Sequence, residues 1–214
     1  MSPKSLRVLI LAYDGVEALD FAGPFEVFTT ASRVAQRMQP DAAAPFEVAS
    51  VAQTSPVQAR AGLRLLADHT LQDSPKADVL VVPGGVIDAP MASPDTLHWI
   101  ADSAAGAQLV ASVCTGAFLL AKSGVVTRDA VTTHWEDIAD LRAQFPQLDV
   151  REGVRWVDNG RIVSSAGISA GIDMSLHIVE RLAGRELAER TARQMDYAWT
   201  RNNTSTTSTS HPSA

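Results

Sequence analysis

The single cysteine of this 214-residue chain stands in the run Ala111-Ser-Val-Cys114-Thr-Gly-Ala-Phe-Leu-Leu. An apolar, strand-like stretch beginning at Gln108 runs into Cys114, and a helix-like stretch from Thr115 to Ser123 starts directly after it. A thiol at such a switch sits at the carboxyl end of a strand, where open α/β sheets place their active sites. It also borders a helix N-terminus, whose partial positive charge favours thiolate over thiol. Ser112-x-Cys114-x-Gly116 has the spacing of a nucleophile elbow, in which small neighbours permit the tight turn. A lone cysteine is ordinarily an inert, buried small hydrophobe. Such a spacer requires neither Thr-Gly behind it nor a helix start, so Cys114 is read as a nucleophile. Its helix placement must then lower its pKa from the free value of about 8.5.

Three more segments carry groups suited to serve a thiol. In Tyr13-Asp-Gly-Val-Glu17-Ala-Leu-Asp20-Phe-Ala-Gly23-Pro24, Asp20 lies ahead of a helix expected to open at Pro24. It either caps that helix or faces the thiol as a carboxyl group whose pKa its apolar neighbours raise. Glu17 is a rival, but its surroundings look loop-like and solvated. In Val82-Pro83-Gly84-Gly85-Val86, paired glycines either make an ordinary turn or aim backbone amides into a site. In the second case the Gly85 and Thr115 N–H groups form an oxyanion hole. In Val131-Thr-Thr-His134-Trp135-Glu136, His134 could activate the thiol, cap the next helix or only line a pocket. The small residues of Ser165-Ala-Gly-Ile-Ser-Ala-Gly171-Ile-Asp173 are expected to act as scaffold. The histidines at 69, 98, 134, 177 and 211 are scattered, so no metal site is expected, and no phosphate-cradling loop is present.

The elements that must position these groups are legible. Leu6 to Ala12, Phe46 to Ala52, Val79 to Val82, Leu109 to Val113 and Ile162 to Ser165 are near-continuous apolar runs, the pattern of parallel strands covered on both faces. Helical patterns run from Pro24 to Arg37, Pro94 to Ala105, Thr115 to Ser123, Glu136 to Gln144, Ile172 to Ala183 and Glu186 to Tyr197. Asp158-Asn159-Gly160 marks a hairpin, and Leu63 to Leu66 a short extra strand. The alternation predicts a doubly wound α/β sandwich, a single domain over residues 1–199. The Ser/Thr-rich stretch 200–214 is expected to be a disordered tail.

Bulk composition narrows the function classes. A net charge of −6 argues against a nucleic-acid surface, and one cysteine excludes an internal disulfide framework. No segment is apolar and long enough for a signal peptide core or a membrane span. A cytoplasmic protein, without nucleic-acid or membrane partners, is the expectation.

Taken together, Pro83-Gly-Gly, Cys114-Thr-Gly-Ala, Thr132-Thr-His-Trp and Ala166-Gly-Ile-Ser-Ala-Gly-Ile-Asp resemble the PfpI-type class of glutamine-amidotransferase-like proteins, over roughly Leu6 to Tyr197. Within that class, Leu19-Asp20-Phe-Ala-Gly23-Pro24 is similar to the isocyanide hydratases, which carry an aspartate where the wider superfamily has a glutamate. The resemblance implies a flavodoxin-like fold, a homodimer, and water addition to an organic isocyanide with no metal or cofactor. Cys114 would attack the isocyanide carbon to form a thioimidate. Asp20 would deliver the proton and then activate water, and Thr115 and Gly85 would position the intermediate. Trp135 would wall the pocket, with His134 and Gly84 beside it. Two alternatives stay open. One is a glyoxalase or deglycase acting on small aldehydes; the other is a non-catalytic ligand or redox sensor like the N-terminal domains of AraC-type regulators.

Overall fold

The computed structural model describes residues 4–201. In chain order it forms β1 (Leu6–Ala12), α1 (Ala18–Met38), β2 (Phe46–Ala52), β3 (Val57–Gln58), β4 (Arg64–Leu65), β5 (His69–Thr70), β6 (Val79–Val82), α2 (Asp88–Ala92) and α3 (Pro94–Gly106). There follow β7 (Leu109–Val113), α4 (Gly116–Lys122), β8 (Ala130–Val131), α5 (Ile138–Gln144), β9 (Asp149–Val150), β10 (Trp156–Asp158), β11 (Ile162–Ser165), α6 (Ala170–Ala183) and α7 (Arg185–Gln194).

The central sheet has seven strands in the order β10-β11-β7-β6-β1-β2-β5, and every pairing but β10 with β11 is parallel. The five apolar runs of the sequence are its five inner strands. Val79 to Val82 and Leu109 to Val113 are buried throughout, because helices cover both faces. From β1 the chain crosses through α1 to β2, whereas from β6 it crosses through α2 and α3 to β7 on the opposite side. Right-handed crossovers in opposite directions put their helices on opposite faces. Accordingly α1 packs with α6 and α7, while α2, α3 and α4 pack with one another.

The structure departs from the sequence expectations at several places. Helix α1 opens at Ala18, so Pro24 lies inside it and Asp20 in its first turn. Proline costs an interior helix one N–H bond, here the one to the carbonyl of Asp20. Burial of Phe21, Val27 and Phe28 along the same helix outweighs that loss. Gly23 does allow close approach: a Cβ there would lie 3.0 Å from Ile172 Cγ1 of α6. The expected strand at Leu63 to Leu66 shrinks to β4, which pairs with β3 outside the main sheet. The last helix ends at Gln194. Elements such as β3, β5, β8 and β9 span two residues each, too short to leave a periodic signal. The expected tail lies almost wholly outside the described residues. No helix among the described residues is long and apolar enough to cross a membrane.

Candidate active site

Because β1 and β6 are neighbours whose connections leave in opposite directions, a crevice opens at their carboxyl ends, the usual ligand position in such sheets. Asp20 enters it after β1, Gly84 and Gly85 after β6, and Cys114 after the adjacent β7.

Cys114 has φ +56°, a left-handed backbone that a side-chain-bearing residue holds only under constraint. The constraint is visible. The Cys114 N–H donates to the Ser165 carbonyl at 3.1 Å, and its carbonyl accepts the Thr133 hydroxyl at 2.8 Å. Behind it, a Cβ on Gly116 would overlap the Val82 carbonyl, so only glycine lets α4 start this close to β6. This is the strained strand-to-helix elbow that the sequence spacing predicts.

Gly84 and Gly85 divide their tasks differently from the expectation. The Gly85 N–H donates to Thr115 Oγ1 at 2.9 Å, and the Thr115 hydroxyl donates to the Gly85 carbonyl at 3.0 Å. Both groups are thereby committed to each other, and the Gly85 N–H is not a free oxyanion donor. An antiparallel bridge between Gly85 and Val16 holds the loop in that orientation. The Thr115 backbone N–H remains directed at the Cys114 sulfur, where it favours thiolate. Gly84 instead donates its N–H to Asp20 Oδ2 at 3.2 Å, and a Cβ on Gly84 would sit 2.9 Å from that oxygen.

Asp20 is fully buried and is not a helix cap, a position Glu17 occupies through its backbone alone. Its Oδ1 has no hydrogen-bond partner. Burial, and secondly the nearby Glu17 charge, push its pKa up to about 6, against the opposing pull of the Gly84 N–H, the Cys114 thiol and the Ile168 N–H. Burial and then the Asp20 charge push Cys114 up to about 12. The thiol therefore does not gain the lowered pKa expected from its helix start. A seven-residue helix and one N–H do not offset desolvation beside a carboxylate. Burial thus raises both members of the pair, and each group's charge is felt by the other.

A cavity of about 510 Å³ opens over Cys114, lined by it with Thr115, Gly85 and Ile168, by Glu17 with Arg60, and by the run from His134 to Asp137. His134 Nδ1 lies 3.5 Å from Glu136 and 3.6 Å from Asp137, and its ring covers Gly167 so closely that a Cβ there would overlap it. Among the described residues no hydrogen bond joins His134 to Cys114. Trp135 lines the cavity while 74% exposed. Glu17 is neither remote nor freely solvated, since it lines the cavity and pairs with Arg60 at 3.6 Å.

The segment after β11 does more than scaffold. Gly171 packs on Val113 as expected, but Ile168, at φ +53°, lines the cavity and turns its N–H toward Asp20. Nothing in an isoleucine's sequence context signals a left-handed backbone, which isoleucine rarely adopts. The sequence reading did not single out Arg60 or Asp137: Arg60 sits in a short 3-10 turn without motif character, and Asp137 ends the 3-10 turn Trp135–Asp137 one residue past the motif.

Residues 6–181 match the DJ-1/PfpI family. The chain belongs to that family. It is 32% identical to an isonitrile hydratase of Pseudomonas putida over 91% of this chain and 79% of that one. It is 30% identical to the HTH-type transcriptional regulator GbdR of Pseudomonas aeruginosa over 68% of this chain, which spans 40% of the regulator. Among solved structures, a ThiJ/PfpI family protein of Pseudomonas syringae superposes with a TM-score of 0.79 at 27% identity, covering 92% of this chain and 77% of that one. The relatives of this chain thus include both an enzyme and a transcriptional regulator.

Proposed function

We propose that this DJ-1/PfpI protein hydrates organic isocyanides to N-substituted formamides, with Cys114 as nucleophile and Asp20 as proton carrier. The observation that carries this is the fully buried Asp20 carboxyl, with Oδ1 unpartnered, set beside the Cys114 thiol. The likeness to the isonitrile hydratase supports it. A thiol held up to about 12 is a poor free nucleophile, so its proton must leave as sulfur attacks. Asp20 takes that proton and delivers it to the isocyanide carbon as the S–C bond forms. The product is a thioimidate, R–N=CH–S–Cys114, with Asp20 ionised again.

Asp20 then draws a proton from water as its oxygen adds to the thioimidate carbon, and passes that proton to nitrogen. The C–S bond breaks, the hydroxyl proton returns to sulfur, and the formamide R–NH–CHO leaves. A carboxylate with a pKa near 6 suits both steps, being basic enough to accept a proton and acidic enough to return it at neutral pH. Trp135 offers the organic substituent an apolar surface. A homodimer belongs to the same proposal, and sedimentation equilibrium tests it.

The deciding measurement is formamide formation from a simple alkyl isocyanide. Cys114→Ser is expected to abolish turnover, and Asp20→Asn to slow it by about 10²- to 10⁴-fold. No turnover by the unaltered chain, with methylglyoxal consumed by the same cysteine, would replace the hydratase with an aldehyde-directed thiol enzyme. Ligand binding without turnover would favour a sensor, the reading that the likeness to GbdR supports.

A further inference from the structure

The charged groups lining the cavity are not balanced. Glu17 and Arg60 form an ion pair at 3.6 Å and offset each other. Glu136 and Asp137 face only His134, at 3.5 and 3.6 Å, and no other lysine or arginine lines the cavity among the described residues. Between His134 and Glu136 stands Trp135, whose exposed ring offers a π face to an organic cation. At the cavity's inner end lies Cys114, with the fully buried Asp20 carboxyl behind it. A reacting group held there must send its substituent outward, because the sheet core closes the other side. The substituent therefore passes the carboxylates and the indole.

We infer that the cavity selects substrates bearing a cationic substituent over neutral or anionic ones, with Glu136 as the discriminating residue. Resting on the hydratase reading above, the substrate class becomes ammonioalkyl isocyanides. Glu136 suits the role because it is well exposed, touches neither Cys114 nor Asp20, and can change charge without disturbing the fold.

Two probes test this on the full chain. The first uses the single cysteine: 2-(trimethylammonio)ethyl methanethiosulfonate and its 2-sulfonatoethyl counterpart both convert Cys114 to a mixed disulfide, releasing methanesulfinate. The cation-to-anion rate ratio, normalised to a small free thiol, is expected to exceed one by about 10-fold at low salt and to fall at high salt. Glu136→Gln lowers it and Glu136→Lys inverts it. The second compares kcat/KM for 2-(trimethylammonio)ethyl isocyanide and its neutral isostere 3,3-dimethylbutyl isocyanide, with a similar advantage for the cation. A normalised ratio near one, or one insensitive to Glu136→Lys, overturns the selectivity. If no isocyanide turns over while the thiosulfonate ratio holds, the hydratase reading fails and the cavity's preference for cations stands.

Discussion

Two aspartates of this chain share a position and differ in everything around it. Asp20 opens α1 and Asp173 opens α6; each lies in a helix's first turn and each is fully buried. Asp173 is surrounded by donors. Arg155 Nε donates to it at 2.6 Å alongside a second guanidinium nitrogen, and the Thr200 N–H reaches its other oxygen at 2.8 Å. Trp199 Nε1 adds a bond to its backbone carbonyl at 3.1 Å, so the aspartate ties the chain's last described residues to α6. Asp20 receives one clear bond, from Gly84 at 3.2 Å, and keeps an oxygen without a partner. The same buried group is a structural tie where its charge is met and, in the proposed reaction, a proton carrier where it is not. Burial alone does not assign a role; the supply of donors does.

The contrast breaks most sharply by removing each centre's key group. Arg155→Met leaves the buried Asp173 charge uncompensated and is expected to destabilise the fold by about 3 kcal/mol, with kcat of the remaining folded protein little changed. Asp20→Asn is expected to do the reverse, removing two or more decades of turnover while the melting temperature holds or rises. Thermal denaturation measured beside kcat decides it. If both variants lose stability alike, Asp20 is structural after all.

A pH series sharpens the same contrast. The Asp20 carboxyl is raised from 3.8 to about 6 on folding, so the folded chain keeps a proton that the unfolded chain has lost between those values. The stability this proton contributes is fully present below about 3.8 and is lost as pH rises through about 6, a change of at most about 3 kcal/mol. Asp20→Asn should remove that component from the denaturant midpoint series. Turnover runs the opposite way, falling about tenfold per unit below pH 6 as the carboxylate is protonated. The smallest effect belongs to Trp135→Ala, where stability should move within about 0.5 kcal/mol. There KM should rise a few-fold with kcat retained, and an unchanged KM removes the indole from the substrate's path.

Much of this arrangement was legible beforehand. The five inner strands have the ranges their apolar runs indicated, since a strand covered on both faces must be apolar throughout. Cys114 stands at its elbow because Gly116 and the strand before it admit little else. The sequence places the start of α1 at Pro24, for proline marks a helix start only when tertiary packing does not override it, and so a capping role for Asp20 stays open beside the catalytic one until the structure excludes it. Ile168 and Arg60 carried no local signal, and Asp137 none beyond its place next to the His134 motif, as residues outside the long elements join a site only through the path of the chain.

By itself, the sequence determined which strands form, where the thiol must stand and which carboxyl could serve it, since strand burial and turn sterics act between near neighbours in the chain. The tertiary structure alone decided the raised pKa of the Asp20 carboxyl and the Cys114 thiol, the commitment of the Gly85 N–H to Thr115, and the acidic lining of the cavity. Desolvation and Coulomb interactions depend on distances through space, and those are set only once β1, β6, β7 and the loop after β11 meet at one edge of the sheet.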